Sequence, residues 1–565
     1  MASTTNSPST LLTLPNFSIQ TSTFLPKTSQ RSIFKKKKPF NFNSKRVVSC
    51  KASNGKQNDA DHTSFLNRFD RRDILLGLGG SLYGATSLVR DPFALAGDAI
   101  KPDLSSCGES TVDTGKNCLN VPCCPPKLKG SKIIDFEPPL GCKIRYRPAA
   151  HLVDRDYLYK FESAMERMKA LPVDDPRNFM QQANIHCANC NGAYSQVGFP
   201  DQKLEVHYSW LFFPFHRMYL YFFERILGKL IDDPDFAMPF WNWDSPCGMT
   251  MPQIYLDPYS PLYDENRNLK HQPDVLVNLN DGKPVQMVRS AKTASCFHGA
   301  AYLGGCESET DISCTPEPRG GTIENGAHIA VHKFVGAENP PYNEDMGSFY
   351  SAGRDPLFYA HHGNVDRMWN IWKTLPGKKR RDFDEDVWLN SSFLFYDENA
   401  NMVRVKVRDC LDSKTLGYDY QSVDIPWLRS KPTPRRSRPG VGRDQDQGQD
   451  VAARRKSKNF RRFPIVLDKV ALDRNDSVHF DVSINDDEDD DNPCKPEDAQ
   501  FVGSFSSLPR GDSCHSEAML STNLYLALSD ALEALKIQFE DTIVVTLVPK
   551  EGEVSIGNIK IDYVC

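Results

Sequence analysis

Apolar residues recur at helical spacing in three stretches of the chain, residues 151–171, 184–230 and 321–373. Apolar side chains at every third or fourth position mark one face of an α-helix, so each stretch predicts a helix packed against a core. The last stretch carries an apolar stripe made by Val365, Met368, Trp369 and Trp372. The pattern predicts a mainly α-helical domain in which the helices form a bundle.

The pattern changes after residue 463, where apolar and polar residues alternate in runs such as 477–483, 542–548 and 554–561. Alternation with a period of two is typical of strands, and Gly and Asp separate the runs. Residues 463–565 therefore predict a small antiparallel β-domain. Before this domain, residues 429–462 hold almost no large apolar residues. They are interpreted as a basic linker that proteases can cut, or as a charged spacer only.

The amino-terminal region has the composition of an organellar transit peptide. No acidic residue precedes Asp59, and the region is rich in Ser, Thr, Asn, Lys and Arg. It includes the basic run Lys35–Lys38. Such a composition indicates an address for an organelle rather than part of a folded domain.

A second targeting signal follows the first. Arg71-Arg72 precede an apolar stretch over residues 74–89, and Ala94-Leu95-Ala96 offers small residues at a cleavage site. We therefore expect residues 1–96 to direct the chain into a chloroplast and on into the thylakoid lumen, with the mature chain beginning near Gly97. Glycines interrupt the apolar stretch, so a permanent membrane span is the weaker interpretation.

Charge and cysteine content narrow the class of protein. The net charge of -5 at pH 7 and the pI near 6.3 give no sign of a nucleic-acid partner. Sixteen cysteines are many for a reducing compartment. The close spacing of Cys107, Cys118, Cys123 and Cys124 predicts a segment held by disulfides at the start of the mature chain.

The chemistry of the chain is expected among its histidines. His328 and His332 stand four residues apart, so one face of a helix can present both imidazoles to a single metal ion. The adjacent pair His361-His362 can supply the third ligand. Position 329 is Ile and no glutamate lies between the first two histidines, so the HExxH motif of zinc proteases is absent.

A second group of histidines lies beside a long aromatic helix and comprises His186, His207 and His216. A separation of nine residues places His207 and His216 on nearly opposite sides of an ideal helix. Pro214 is expected to break or kink this helix, so that the two histidines come from different pieces. Five histidines in polar contexts are interpreted as surface residues: His62, His271, His298, His479 and His515.

A site made only of imidazole ligands narrows the choice of metal ion. Three neutral nitrogens without a carboxylate suit copper, zinc, iron or nickel and disfavour calcium and magnesium. A single triad around zinc can make a hydroxide for hydrolysis. Two triads favour a pair of copper ions, because each copper can give one electron to a shared O2 molecule and zinc has no redox chemistry. A dizinc site is the alternative.

Several long motifs in these regions match one known family. They are His-Cys-x-x-Cys with Gly-Ala-Tyr, SWLFFPFHRMYLYFFERILG, PFWNWD, EDMGSFYSAGRDPLFYAHH and NVDRMW. The chain resembles the chloroplast polyphenol oxidases of plants, which are type-3 copper proteins. The resemblance covers nearly the whole chain, from the targeting signals to the Tyr418-Asp-Tyr motif and the carboxyl-terminal HFDV and VVTLVPK.

The resemblance implies two sets of copper ligands, which are His186, His207 and His216 for copper A, and His328, His332 and His362 for copper B. Neighbouring residues on a helix point about 100° apart, so only one of His361 and His362 can face the metal. Family spacing selects His362 and leaves His361 a structural role. Asp366, one turn beyond His362, is expected to support that ligand.

The resemblance also implies covalent links between side chains. Cys190 occupies the position that forms a thioether to the histidine here numbered His207, and a buried thiol is the alternative. Two disulfides are implied, Cys107 with Cys124 and Cys123 with Cys187.

Two positions match family residues that act on the substrate. Phe349 matches an aromatic gate over the copper pair. Glu324 matches a glutamate that holds a water and assists phenol deprotonation. A solvated glutamate at a helix start is the alternative for Glu324.

Other positions depart from the family pattern. Ile329 stands where many monophenol-hydroxylating members have asparagine, so the amide that helps to orient the water is missing. Lys333 follows the second copper B histidine, where its cation either attracts an acidic substrate group or extends into solvent. Tyr208 replaces the asparagine usual after the second copper A histidine. These departures indicate a specialised substrate.

We therefore expect residues 97–428 to form a helical dicopper catalytic domain that oxidises o-diphenols to o-quinones with O2. The β-domain is expected to cover the site and to keep the precursor latent until the linker is cut. The expected partners are small phenolic substrates and processing proteases. A specialised monophenol hydroxylase is one alternative, and a reversible O2 carrier is an alternative from another class.

Overall fold

The structure is a computed structural model that describes most of the chain from residue 99 onward and two short segments before it. The described residues are 40–41, 46–51, 99–113, 118–126, 132–141, 143–279, 284–285, 323–338, 343–375, 382–429, 433–435, 464–473, 476–486, 494–509, 519–537 and 542–561. All but one of their α-helices lie in residues 99–429, as the helical periodicity predicts.

The described residues contain seven α-helices, of which the first six build a bundle whose longest members are largely buried, and the seventh belongs to the β-domain. They are α1 (Arg155–Ala170), α2 (Phe179–Cys190), α3 (Phe212–Leu230), α4 (Ile329–Val335), α5 (Leu357–Thr374), α6 (Asp386–Asn390) and α7 (Ser529–Leu535). Side-chain caps begin two of them: Asp154 accepts from the Tyr157 amide and Asn178 from the Met180 amide. α3 packs against both α1 and α5, and this contact forms the centre of the bundle.

Short strands border the bundle, and longer strands build a separate β-domain. The described strands are β1 (Phe40–Asn41), β2 (Arg46–Lys51), β3 (Pro102–Asp103), β4 (Ser110–Asp113), β5 (Cys118–Val121), β6 (Ile134–Asp135), β7 (Arg145–Arg147), β8 (Ser195–Gln196), β9 (Phe199–Lys203), β10 (Leu276–Val277), β11 (Pro284–Val285), β12 (Ser392–Tyr396), β13 (Met402–Lys406), β14 (Tyr418–Tyr420), β15 (Pro464–Asp473), β16 (Val478–Ile484), β17 (Phe501–Ser507), β18 (Met519–Ala527), β19 (Thr542–Glu551) and β20 (Val554–Ile561).

The carboxyl-terminal strands form two four-stranded sheets, in the orders β1-β20-β15-β18 and β17-β16-β19-β2. Every strand pair in these sheets is antiparallel. Apolar residues of both sheets share one core, which includes Leu467, Phe480 and Val545. The predicted architecture, a helical domain followed by a small antiparallel β-domain, is confirmed.

Two segments of the expected targeting region belong to these sheets, in contrast to the prediction that the region is not part of a folded domain. Residues 40–41 pair with β20, and residues 46–51 pair with β19. An edge strand presents unpaired N–H and C=O groups, and the β-branched pair Val47-Val48 suits an added strand. The twin arginine, the apolar stretch and the expected cleavage site lie outside the described residues.

Part of the expected linker is also attached to the β-domain. Of residues 429–462, the structure describes Arg429 and residues 433–435. The Thr433 amide donates to the Glu497 carbonyl, and the Arg435 guanidinium pairs with Asp486 at 2.6 Å. The remainder of the expected linker lies outside the described residues.

The segment before α1 is fastened to the bundle by disulfides. The structure pairs Cys107 with Cys124 and Cys123 with Cys187, which are the pairs that the resemblance implied. Cys187 lies on α2, so the second disulfide holds the irregular segment against a helix of the metal site. In the described helices, none is long and apolar enough to cross a membrane.

Candidate metal centre

Seven histidines converge inside the bundle, and none exposes more than 1% of its surface. α2 provides His186, the turn before α3 provides His207, α3 provides His216, the turn before α4 provides His328, α4 provides His332, and α5 provides His361 and His362. Helices rather than flexible loops hold most of these rings, which gives a metal site a rigid frame.

The first group contains His186, Cys190, His207 and His216, whose candidate ligand atoms all lie within 4.8 Å of one another. His207 lies outside α3, in a turn where the next residue, Tyr208, has a φ of 58°. This positive φ is uncommon for a residue with a large side chain. The turn lets the chain present His207 from one side while His216 approaches from the helix.

The prediction for Pro214 is correct in its effect and wrong in its mechanism. α3 begins at Phe212, so the helix is not kinked at Pro214, and the proline lies in the first helical turn. The first four N–H groups of a helix have no acceptor within it, so proline costs little there. His207 and His216 come from different pieces because the helix starts between them.

The second group contains His328, His332, His361 and His362, whose candidate ligand atoms also lie within 4.8 Å of one another. The rings of His328 and His332 are 4.6 Å apart between centroids, as their four-residue spacing predicts. Residues Glu324–His328 form a π-helical turn that leads into α4. Such turns are rare and occur frequently at functional sites.

The two groups adjoin each other. The rings of His216 and His362 stack with centroids 4.2 Å apart, and those of His207 and His328 lie 5.7 Å apart. One ion in each group would therefore have the other ion as its neighbour. This is the arrangement needed for two metals to act on one small molecule.

Backbone carbonyls fix the orientation of four rings. The Nδ1 atoms of His186, His216, His328 and His332 donate to carbonyls at 3.0, 2.8, 3.2 and 2.7 Å. A carbonyl only accepts, so Nδ1 carries the proton and Nε2 keeps its lone pair. Each of these histidines is thus prepared to bind a metal through Nε2.

The contacts of Trp243 distinguish the two adjacent histidines on α5. An indole N–H can only donate, and Trp243 Nε1 donates to His361 Nδ1 at 3.1 Å. Neutral His361 must then carry its proton on Nε2 and has no lone pair for a metal. The Nε2 atoms of His332 and His362 face each other at 3.3 Å. This arrangement supports His362 as the ligand and a structural role for His361.

Burial keeps these imidazoles neutral. It lowers the pKa of His216 to about 3 and that of His332 to about 4. It also lowers the pKa values of His186, His328 and His362 well below the ordinary value. Neutral imidazole is the form that binds a metal ion.

The residues fit a pair of copper ions. The Nε2 atoms of His186, His216 and His328 are buried and have no hydrogen-bond partner within the described part of the chain. Buried nitrogens without partners are costly, and a bound cation removes that cost. Neither group contains a carboxylate, and imidazole-rich sites suit copper.

Known proteins match this chain along most of its length. The common central domain of tyrosinase matches residues 176–286 and 252–375, the polyphenol oxidase middle domain matches residues 382–433, and the chloroplastic polyphenol oxidase C-terminal domain matches residues 449–563. A chloroplastic polyphenol oxidase of Malus domestica is 49% identical over 92% of this chain and 92% of its own. The chain belongs to the plant polyphenol oxidases. These are type-3 dicopper proteins, so two copper ions are its cofactors.

Solved structures of polyphenol oxidases share the fold. A latent apple tyrosinase has a TM-score of 0.69 and 48% sequence identity, covering 77% of this chain and 100% of that chain. A latent aurone synthase has a TM-score of 0.75 and 37% identity, covering 83% of this chain and 99% of that chain. Aureusidin synthase of Antirrhinum majus is 44% identical over 91% of this chain and 98% of its own.

A cluster of four apolar side chains covers the copper centre of this polyphenol oxidase. It consists of Tyr208, Ile329, Phe349 and Leu508, and all four are buried. The Phe349 ring lies 4.3 Å from the His207 ring between centroids, so it packs directly on a histidine of the first group. Leu508 follows β17, so the β-domain contributes directly to the cover. Tyr208 Oη adds a hydrogen bond to Ser507 Oγ at 3.3 Å.

Glu324 is buried beside the second histidine group, with 1% of its surface exposed. Its Oε1 accepts from the Tyr208 amide at 2.6 Å. This excludes the alternative of a solvated glutamate at a helix start. The structure therefore holds the Glu324 carboxylate inside the protein, in the turn that leads into α4.

Lys333 forms an ion pair with the β-domain. Its ammonium pairs with Glu551 of β19 at 2.9 Å, and 13% of the lysine side chain is exposed. In the uncut chain the lysine therefore does not extend freely into solvent. It fastens the β-domain to α4 one turn beyond Ile329.

Asp366 has different partners from those expected. Its carboxylate accepts from Arg217 Nε at 2.6 Å, from Tyr418 Oη at 2.6 Å and from Tyr420 Oη at 2.5 Å. Arg147 approaches it at 3.4 Å. The aspartate therefore joins α5 to α3, β7 and β14, and no hydrogen bond to a copper histidine is among these contacts.

Two histidines interpreted as surface residues are buried. His271 donates from Nδ1 to the Phe334 carbonyl at 2.6 Å and stacks on the Phe334 ring of α4. His479 bonds to Ser506 Oγ at 2.6 Å inside the β-domain. Their polar neighbours in sequence gave no sign of burial, because neighbours in a loop or strand can face opposite directions. His62, His298 and His515 lie outside the described residues.

Proposed function

We propose that this polyphenol oxidase oxidises o-diphenols to o-quinones, using one O2 for two diphenols and releasing two water molecules. The observation that carries the choice of substrate is Ile329. It is fully buried against Phe349, Tyr208 and Leu508, and it offers no amide beside Glu324. Hydroxylation of a monophenol needs a polar site for the phenolic proton, whereas a catechol brings a second hydroxyl as a donor to the metal.

The proposed copper ligands divide by group. His186, His207 and His216 hold one ion, and His328, His332 and His362 hold the other. When bound, the two copper ions supply the redox chemistry that links phenol oxidation to O2 reduction. The protein's own contribution is a rigid donor set, because burial favours the neutral imidazoles and the carbonyl bonds keep the Nε2 atoms of His186, His216, His328 and His332 available for the metal.

Phe349 and Glu324 act on the substrate side of the centre. Phe349, whose ring packs on His207 at 4.3 Å between centroids, is proposed to orient the aromatic ring of the substrate and to exclude bulk water. Glu324 can take up and return a phenolic proton, since its carboxylate is held in place by the Tyr208 amide.

We also propose the thioether between Cys190 and His207. Both side chains are buried in the first group, with candidate ligand atoms within 4.8 Å. A covalent link fixes the His207 ring, which lies in a turn rather than in a helix and lacks the support of a helical backbone. The mass of the peptide pair after proteolysis tests this proposal, with a loss of two hydrogens expected.

The β-domain is proposed to keep the uncut chain latent. Leu508 fills the apolar cluster over the copper centre, and the Lys333–Glu551 ion pair fastens the domain beside it. Relatives carry corresponding names, including a latent form of polyphenol oxidase in Prunus armeniaca that is 45% identical over 96% of this chain and 96% of its own. Cleavage in the linker over residues 429–462 by a processing protease would release the cover.

The proposed location is the chloroplast, and within it the thylakoid lumen. Curated relatives from Malus domestica, Prunus armeniaca and Vitis vinifera are named chloroplastic. The lumen follows from the twin arginine and the small-residue cleavage site of the sequence.

The second candidate function is hydroxylation of a specialised monophenol. A relative from Larrea tridentata, 44% identical over 92% of this chain, is named (+)-larreatricin hydroxylase. The deciding experiment uses residues 97–565 with the linker cut and follows O2 uptake on 4-methylcatechol and 4-methylphenol. We expect prompt uptake with the catechol and slow, lagging uptake with the phenol. Prompt and efficient attack on the phenol would favour the hydroxylase, and binding of O2 without turnover of either compound would indicate a carrier.

A further inference from the structure

The described residues at the start of the expected linker pair with the β-domain as a strand would. The Thr433 amide donates to the Glu497 carbonyl at 3.0 Å, and the Thr433 carbonyl accepts from the Ala499 amide at 2.8 Å, as in a parallel sheet. Pro434 follows, and in an extended chain the amide of this next residue would face away from the partner, so the missing N–H costs no hydrogen bond. Residues 433–435 therefore lie along one edge of the β-domain.

A site of charged and polar side chains holds the last residue of this segment. The Arg435 guanidinium donates to Asp486 Oδ1 at 2.6 Å, and its Nε lies 3.7 Å from Asp498 Oδ2. The Arg435 amide donates to Gln500 Oε1 at 3.0 Å. The exposed fraction is 16% for the arginine side chain and 3% for that of Asp486. Removing one partner of a buried ion pair is strongly destabilising, so this edge of the β-domain favours a bound arginine.

The same segment is tied closely to the catalytic domain. Trp427 is fully buried, and its Nε1 donates to Asp244 Oδ2 at 2.9 Å. Thr433 follows six residues later, a span that an extended chain covers in at most about 20 Å. On the other side, residues 497–500 lead directly into β17, and Leu508 follows the far end of β17 in the cluster over the copper centre. The β-domain is therefore held to the catalytic domain near both ends of β17.

We propose that residues 433–435 are a docking tail, and that the β-domain edge made by Asp486 and residues 497–500 is the surface that receives it. A cut beyond Arg435 leaves the tail on the catalytic domain, so the β-domain stays bound as a separate chain and leaves only on dilution. A cut before Thr433 takes the tail from the catalytic domain, and the β-domain then leaves readily. This inference rests on the proposed latency and adds that the position of the cut decides how the cover is lost.

The test inserts one recognition site for a sequence-specific protease into the chain over residues 97–565, either between residues 430 and 431 or between residues 445 and 446. After complete cutting, sedimentation velocity over a dilution series gives the dissociation constant of the two pieces. We expect the later cut to give binding about a hundredfold tighter, because the tail adds backbone hydrogen bonds and a buried charge pair. Activity on 4-methylcatechol should follow the fraction of separated pieces.

One substitution should act differently in the two cut proteins. With the later cut, Arg435→Met should raise the dissociation constant about thirtyfold, as expected for truncation of a buried charge pair between two chains. With the earlier cut it should have no effect, because Arg435 and Asp486 then belong to the same piece. A general weakening of the β-domain would instead act on both. Arg404→Met breaks an exposed ion pair with Asp135 inside the catalytic domain and should change neither constant.

The outcomes separate the docking tail from the proposed function. Equal dissociation constants for the two cuts, or an equal effect of Arg435→Met on both, would overturn the docking tail. Sedimentation does not depend on turnover, so tail-dependent binding without any oxidation of 4-methylcatechol would refute the proposed reaction and leave the tail standing. Tail-dependent separation with no matching rise in activity would refute the proposed latency, and with it the role of the tail in releasing the cover.

Discussion

At the scale of one residue, Ile329 is proposed to decide which phenols can react. It occupies the first position of α4, beside Glu324 of the preceding turn, and it is fully buried. Replacement by asparagine puts an amide next to the Glu324 carboxylate, where the two groups can hold a water together. We expect Ile329→Asn to raise the rate on 4-methylphenol relative to 4-methylcatechol by about tenfold, which corresponds to about 1.4 kcal/mol in the barrier.

The asparagine amide should also lower the stability of the folded protein, because the surrounding cluster is apolar. A buried amide with incomplete hydrogen bonding destabilises a protein by about 1–3 kcal/mol. Ile329→Leu conserves volume without adding a polar group and serves as the control. A ratio of initial rates that is the same in the asparagine and leucine variants would refute the role of Ile329.

His361 and His362 are adjacent but should respond differently to replacement. Removing His362 takes away a proposed ligand, so His362→Ala should bind about one copper ion per chain where the unmodified enzyme binds two. Removing His361 leaves the buried Trp243 N–H without its acceptor. His361→Ala should keep both copper ions and lose about 1–3 kcal/mol of unfolding free energy. Elemental analysis and urea unfolding of both variants distinguish the roles, and loss of copper from His361→Ala alone would reverse them.

Asp366 acts at the scale of elements, because its carboxylate joins two helices and two short strands. Burial alone raises its pKa, but Arg217 and Arg147 overcome this and hold the pKa below the usual range. A depressed carboxyl pKa stabilises the fold above the ordinary aspartate range near pH 4, and the contribution is lost only as the pH falls through the lowered value.

Asp366→Asn should therefore destabilise the bundle at neutral pH. The change removes the carboxylate that pairs with the buried Arg217 guanidinium, which costs about 3–5 kcal/mol, whereas Arg147 keeps Glu224 at 2.8 Å. Urea unfolding at pH 7 measures the loss. Asp135→Asn breaks an exposed pair with Arg404 and should have little effect. Equal effects of the two substitutions would contradict the joining role of Asp366.

The sequence predicts helices and strands well where the apolar residues follow a single spacing, either that of a helix or that of a strand. The helices that carry His216 and His362 follow from apolar spacing, and the His328–His332 spacing alone predicts a shared face. The helix that carries His186 begins at Phe179, before the stretch that the sequence marks. The start of α3 between His207 and Pro214 is harder to predict from the sequence, because a proline can stand either at a kink inside a helix or in the first turn of a helix. The contacts of Asp366 are made by arginines and tyrosines from distant segments of the chain, and the local spacing of apolar residues does not predict them.

At the scale of the whole molecule, the local sequence does not predict which residues of the β-domain contact the helical domain. Leu508 and Glu551 lie far along the chain from Ile329 and Lys333, and nothing in their local sequence indicates contact with a copper helix. The burial of His479 has the same origin. Alternation predicts its strand, whereas its burial depends on how the sheets pack and dock.

This docking predicts the effect of shortening Leu508. Its side chain is a buried anchor at the centre of the contact between the domains, and loss of such an anchor commonly costs 2 kcal/mol or more. We expect Leu508→Ala to raise the activity of the uncut chain on 4-methylcatechol by about tenfold. Leu140→Ala, at a residue that is 98% exposed, is the control. An uncut Leu508→Ala chain that stays as inactive as the unmodified one would show that other contacts maintain latency.

Burial of the histidines should determine how the stability of the whole chain depends on pH. In the folded protein burial lowers the pKa of His216 to about 3 and of His332 to about 4, while unfolded histidine titrates near 6.5. Below pH 6.5 the unfolded chain therefore takes up protons that the folded chain excludes, and stability falls as the pH falls. Each such histidine contributes up to about 1.4 kcal/mol per pH unit.

The expected outcome is a copper-free chain that loses stability steeply between pH 7 and pH 5. Copper binds only the neutral rings of the folded state, so excess copper adds stability by mass action and offsets part of this loss. Urea unfolding of copper-free and copper-loaded protein at both pH values measures the difference. His151 is half-buried and away from both histidine groups, so His151→Gln should leave the difference unchanged. Because the rings are already neutral in the folded copper-free chain, the copper-loaded curve should lie above the copper-free curve and run nearly parallel to it, and coincident curves would mean that the buried histidines do not bind the metal.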